Sequence, residues 1–215
     1  MAIASPTAVT IGPLRLAGDL NLPAGAGALI LFAHGSGSSR LSPRNRAVAA
    51  ALNQRGMATL LFDLLTPGEE ADRRNVFDIP LLAERLIAVV DWIEEQDALA
   101  RLPLGLFGAS TGAAAALVAA ARLGKRIGAV VSRGGRPDMA ADVLDQVIAP
   151  TLLIVGGFDD VVIELNEKAY ALLRAEKALE IVPGATHLFP EPGALERVIV
   201  LAGDWFAAHL MAHRS

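Results

Sequence analysis

Residues 104–123 read LGLFGASTGAAAALVAAARL, and the order of chemistry along them decides the fold. An apolar run, LGLF, leads into a turn of small residues, and an Ala-rich segment follows. The first half reads as a buried strand. The second reads as a helix closed by Gly124 as a C-cap. At the junction, Gly108-Ala109-Ser110-Thr111-Gly112 matches the pattern G-x-S-x-G in the strand–turn–helix context that the pattern requires. A serine on so sharp a turn sits in a strained backbone conformation. Gly108 and Gly112 let strand and helix approach without a clash. The turn lifts the hydroxyl above the sheet edge, with the helix N-terminus beneath it, where free N–H groups favour an anion. An ordinary glycine-rich turn can share the pentapeptide, so partners must be found elsewhere in the chain. The uncharged stretch 102–121 is about as long as a bilayer span. Its proline, its glycines and its change of character halfway fit a strand, a turn and a helix better.

Outward from this junction, short apolar runs alternate with longer segments of helical spacing. Strands are expected at 8–11, 14–20, 29–33, 57–62, 103–107, 127–131, 151–155 and 179–182. Helices are expected at 42–55, 79–96, 111–123, 161–174 and 193–213, with a polar loop over 63–75. The first two strands read as a hairpin about Gly12-Pro13. Continuous apolar strands such as LILFA belong to a parallel sheet covered on both faces. The expected fold is therefore α/β, a mostly parallel sheet of about eight strands with helices on both faces. The 215 residues fit a single domain spanning 1–215. Ligand sites of such sheets lie at the carboxyl ends of strands. Both glycine- and serine-rich patches, 35–39 and 108–112, fall there.

A serine hydroxyl needs a base. Of the four histidines, His209 and His213 lie in the terminal helix. His34 follows LILFA and reads as a structural group that hydrogen-bonds its loop. His187 lies after the last strand, where a loop can swing an imidazole over the sheet edge. The base in turn needs an orienting carboxylate. Asp159 and Asp160 follow the strand TLLIV and the turn Gly156-Gly157. Asp159 is the first acid past that turn, and Asp160 is left as a neighbour or helix cap. Ser110, Asp159 and His187 then run in the chain order of the α/β-hydrolases. Oxyanion-hole N–H groups are expected from Thr111, after the nucleophile, and from Ser36, in the loop His34–Ser39.

The segments LFAHGSGSSRLSPRNR, LLFDLLTP, FGASTGAAAALVAA, VVSRGGRPD, LLIVGGFDD, ELN and IVPGATHLF extend the likeness to the whole chain. It resembles the small serine α/β-hydrolases grouped with the dienelactone hydrolase family. Within that family it resembles a subgroup whose members sometimes occur fused to a phosphoribosyltransferase domain, for which these 215 residues leave no room. The resemblance implies a Ser110–Asp159–His187 triad. It departs at the elbow, where dienelactone hydrolases carry cysteine and this chain carries Ser110, so dienelactone itself is not the expected substrate.

Composition closes off other classes. With no cysteine, disulfide scaffolds, thiolate-bound metal and a cysteine nucleophile are excluded. A net charge of −4 and 5% aromatic residues offer nucleic acid neither a basic face nor a stacking platform. No signal segment opens the chain, and the expected setting is cytoplasmic. Gly35-Ser36-Gly37 has the start of a dinucleotide fingerprint, with Asp63 at the next strand end, but Arg40 stands where the third glycine belongs. No P-loop pattern is present. A non-catalytic binding protein on the same fold, or an acyltransferase or perhydrolase with the same triad, stays open beside the esterase reading. The connection 132–150 is too short for a cap domain, so the site should be an open cleft rimmed by arginines. Arg133 and, second, Arg40 are the candidates for binding a negatively charged group. Salt bridges to Asp72, Asp78 or Asp138 are the alternative use of the rim arginines. The expectation is a small-molecule ester substrate, no cofactor, no metal, no membrane, and a monomer or homodimer.

Overall fold

The computed structural model describes residues 6–211; His213 lies outside them. The chain begins with an antiparallel hairpin, β1 (Thr7–Ile11) and β2 (Leu16–Asn21), closed by a turn in which the Arg15 N–H donates to the Gly12 carbonyl. Next come β3 (Leu29–Ala33), α1 (Pro43–Gln54) and β4 (Ala58–Phe62). Segment 63–78, expected as a loop, contains two one-turn helices, α2 (Pro67–Glu70) and α3 (Arg73–Val76). The helix α4 (Ile79–Glu94) leads to β5 (Leu104–Ala109) and α5 (Thr111–Leu123). The remainder is a 3-10 turn (Gly124–Arg126), β6 (Ala129–Arg133), a 3-10 helix (Pro137–Gln146), β7 (Thr151–Gly156), α6 (Asp160–Leu172), β8 (Lys177–Val182), α7 (Ala194–Phe206) and a π-helical turn (Ala207–Met211).

The eight strands form one sheet in the order β1-β2-β4-β3-β5-β6-β7-β8, parallel from β4 through β8. Its central strands are buried end to end, which is why they read as unbroken apolar runs. One face packs α4 and α5 through Leu82, Leu86, Val89, Leu117 and the alanines of α5. The other packs α1 and α7 through Val48, Leu52, Val198 and Phe206. No domain is inserted between β6 and β7, which are joined only by residues 134–150. The uncharged stretch 102–121 divides into β5 and the first turns of α5, and no described helix is long and apolar enough to cross a membrane.

β6 runs two residues beyond the expected 127–131 pattern and ends on Ser132 and Arg133, both buried. Arg133 is therefore part of the sheet edge rather than of an exposed rim.

Candidate active site

Ser110 joins β5 to α5 with φ +51° and ψ −122°, a region that a residue with a Cβ adopts only under strain. Close packing imposes it. A Cβ on Gly108 would strike the backbone of Ala113, and one on Gly112 would strike the carbonyls of Ala33 and His34. Helix and strand can approach this far only with glycine on both sides of the serine. The Ser110 N–H donates to the Arg133 carbonyl at 3.2 Å, and its own carbonyl accepts from the Ala113 N–H and the Arg136 N–H, both at 3.1 Å. The elbow is thus fixed to β6 as well as to its own helix. Although Ser110 occupies the N-cap position, its side chain caps nothing, and the hydroxyl is left for other work.

Asp159 repeats the pattern at the end of β7. It is the N-cap residue of α6, yet it makes no capping hydrogen bond. Its Oδ2 instead accepts from His187 Nδ1 at 2.7 Å. The Asp159 side chain is 17% exposed and that of His187 is 38% exposed, so the carboxylate is sheltered while the imidazole stays open. A donating Nδ1–H leaves His187 Nε2 as an acceptor. Asp160 is the exposed first residue of α6. The loop carrying His187 is pressed onto the sheet edge. A Cβ on Gly134 would lie 3.0 Å from the His187 carbonyl and 3.5 Å from its Nδ1. The Thr186 N–H and hydroxyl both bond the Glu191 carboxylate, which holds that carboxyl below its usual range.

The two residues expected to hold an oxyanion meet each other. The Ser36 N–H donates to Thr111 Oγ1 at 2.9 Å, pinning the loop after β3 to the elbow. Thr111 opens α5, where its own N–H has no acceptor within the helix. His34 donates from Nδ1 to the Gly35 carbonyl at 3.1 Å and accepts at Nε2 from the Leu64 N–H at 3.1 Å. Burial pushes its pKa down, only partly offset by the Gly35 carbonyl and by Asp63. It is a structural histidine that ties β3's loop to β4's.

An open cleft lies beside the elbow, bordered by His34–Ser39, Asp63, Glu70 and the apolar Leu64, Leu65, Val76 and Leu82. Ser110, Asp159 and His187 stand outside its lining. The hydrogen-bond geometry, not the depth of the cleft, marks the candidate catalytic residues.

The arginines do not line the mouth as expected. Arg40 bonds Asp63 through its backbone N–H at 2.8 Å and its guanidinium at 2.5 Å, and it also pairs with Asp19. It clips the loop to β2 and to the end of β4. Arg74 pairs with Asp72 and Arg136 with Asp138. Arg133 is only 6% exposed. Its burial was hidden in the sequence because Phe189 and Asn45, which cover it, are remote in the chain.

The alpha/beta hydrolase fold family matches residues 28–192. A dienelactone hydrolase from Anabaena variabilis of known structure is 52% identical, with a TM-score of 0.92, over 96% of this chain and all of that one. A serine hydrolase without lid from Xanthomonas campestris is 22% identical, with a TM-score of 0.79, over 99% and 98% of the two chains; it shares the fold. A Mycobacterium tuberculosis protein named as a phosphoribosyl transferase is 60% identical over 202 residues, 94% of this chain. The chain spans 46% of that relative's length. With the elbow, the strand order and these matches together, the chain belongs to the alpha/beta hydrolase fold family and, within it, to the small dienelactone hydrolase-like serine hydrolases.

Proposed function

We propose that this chain is a serine hydrolase that cleaves a small carboxylic ester, thioester or lactone through an acyl-enzyme. Ser110 Oγ attacks the carbonyl carbon as His187 Nε2 takes its proton. Asp159, bonded to Nδ1, keeps the imidazole in the working tautomer and balances its charge once protonated. The tetrahedral oxyanion is held by the free Thr111 N–H at the head of α5. As second donor, Ser36 shares its N–H between Thr111 Oγ1 and the oxyanion. Collapse expels the alcohol, thiol or ring oxygen, which takes the proton from His187. Water, deprotonated by the same imidazole, then releases the acid and frees Ser110. The apolar floor of Leu64, Leu65, Val76 and Leu82 suits a short acyl or alcohol chain, and the name of the Anabaena relative supports an ester or lactone carbonyl.

The observation that carries this reading is the sheltered 2.7 Å Asp159–His187 bond, on the same sheet edge as a serine at φ +51° whose hydroxyl caps nothing. The test is Ser110→Ala assayed on p-nitrophenyl esters of graded acyl length. Turnover should fall about 10⁶-fold, as for loss of a triad nucleophile, with the fold intact by circular dichroism. Labelling by a fluorophosphonate should disappear with it. A variant that keeps a tenth of wild-type turnover refutes the serine mechanism.

A further inference from the structure

Among the described residues, four half-buried arginines have carboxylate partners: Arg40 with Asp63, Arg85 with Glu69, Arg126 with Asp91 and Glu94, and Arg136 with Asp138. The other arginines without an ion pair, Arg15, Arg73 and Arg101, are exposed and are served by water. Two fit neither group. Arg44 is half-buried and Arg133 is 6% exposed, and no acid pairs with either. Both have a buried Nε with no hydrogen-bond partner, as do Arg40 and Arg85, but Arg44 and Arg133 lack the carboxylate that the others have. Arg133 donates a hydrogen bond from Nη2 to Asn45 Oδ1 that is long at 3.4 Å. Its guanidinium otherwise rests 5.9 Å from the centroid of the Phe189 ring.

An unpaired buried cation is costly, and a like charge beside it raises the cost. Arg44 is close enough to Arg133 to push its pKa down further than burial alone, to about 10, so the Arg133 guanidinium is still charged at neutral pH. A third positive feature meets them. Arg44 and Asn45 stand in the first turn of α1, whose N-terminus is capped by Ser42 and carries the partial positive charge of the helix. A cationic corner of this kind, with donors unused and no acid supplied by the protein, is built for an anion from outside.

The corner adjoins the candidate catalytic residues. The Arg133 carbonyl accepts from the Ser110 N–H. Phe189, under the guanidinium, lies two residues past His187. Gly134 abuts both the His187 ring and the Phe189 ring.

We propose that Arg133 and Arg44, with the head of α1, form a binding site for an anionic group, a carboxylate or a phosphate, carried by the substrate close to its scissile bond. That the ligand is a substrate rests on the hydrolase reading above; the anion site itself does not. A guanidinium can offer two parallel N–H groups to coplanar oxygens, which an ammonium cannot.

Two measurements test it. The first is binding. Glutarate and inorganic phosphate are titrated calorimetrically into the Ser110→Ala protein, with 1,5-pentanediol as the uncharged control. One anion should bind saturably at millimolar concentration or below and the diol should not; whichever binds tells carboxylate from phosphate. Arg44→Met and Arg133→Lys should each weaken that binding at least tenfold, and Arg133→Lys keeps both charge and bulk should Arg133→Met not fold. The second is turnover. Mono-p-nitrophenyl glutarate is compared with p-nitrophenyl pentanoate in wild type and both variants. If the anion is a carboxylate, wild type should prefer the glutarate by roughly ten- to a hundredfold in kcat/KM, and the ratio should collapse in Arg44→Met. Absence of binding by both anions overturns the proposal, as does equal binding by wild type and both arginine variants. Should neither ester be hydrolysed and Ser110 resist the fluorophosphonate, the hydrolase reading fails, and the titrations alone then decide the anion site.

Discussion

Asp159 stands at a helix N-terminus and declines to cap it, while its neighbour Asp160 faces solvent in the first turn of the same helix. Two adjacent carboxylates thus have different work, and substitution separates them. Asp159→Asn keeps size and hydrogen bonding but can donate to His187 Nδ1 and so favour the wrong tautomer. Its kcat on a p-nitrophenyl ester should drop about 10⁴-fold. Asp160→Asn forfeits only a helix-dipole contact of about 0.3–1 kcal/mol and should stay within a few-fold of wild type. Similar losses in both would remove Asp159 from the mechanism.

At the scale of elements, the strand–helix joints carry the fold. Gly112→Ala drives a Cβ into the carbonyls of Ala33 and His34, which neither β3 nor α5 can yield. The variant should be recovered unfolded or not at all, whereas Gly68→Ala, with open space around it, should melt within a few degrees of wild type. The joint between β3 and β4 is pH-sensitive. His34 is neutral when folded and its pKa is lowered by burial, while the unfolded chain takes up a proton near its ordinary value of 6.5. Between those two values the unfolded state binds more protons, so stability present above pH 6.5 is lost as pH falls through the folded value. The melting temperature of wild type should therefore fall more steeply between pH 7 and 5 than that of His34→Gln; parallel slopes would count against it. Most of these elements were legible from the sequence, because parallel strands are apolar throughout and long helices repeat every 3.6 residues. The helices α2 and α3 were not, since four residues hold no period. The one signal for α2 was the Thr66–Glu69 capping box. The pairing of Asp159 with His187 and the place of Ser110 at the turn from β5 into α5 were legible from their positions after strands. The retirement of Arg40 to Asp63 and Asp19 and the burial of Arg133 depend on cross-chain contacts that no local pattern records.

Across the whole molecule, chemistry and cohesion lie at opposite edges of the sheet. The loops after β3, β5, β7 and β8 bring Ser36, Ser110, Asp159 and His187 to the carboxyl edge. At the other edge Phe206, fully buried, packs beside Gly105 of β5. Phe206→Ala should cost about 3–5 kcal/mol, or roughly 6–20 °C of melting temperature for a domain this size. Its kcat/KM at 20 °C should remain within a few-fold of wild type. A large loss of activity in protein that is still folded would mean that the two edges are coupled.

The backbone of Ser110 has one more consequence. A residue with a side chain at φ +51°, ψ −122° forgoes about 1–3 kcal/mol that glycine would not, and the elbow demands that conformation whether or not catalysis occurs. Ser110→Gly should therefore melt above wild type while turning over nothing. Thermal endurance and turnover pull in opposite directions at this one position. A library selected only for heat resistance would drift toward glycine there and discard the enzyme, so selection for a hardier hydrolase has to demand product in every round.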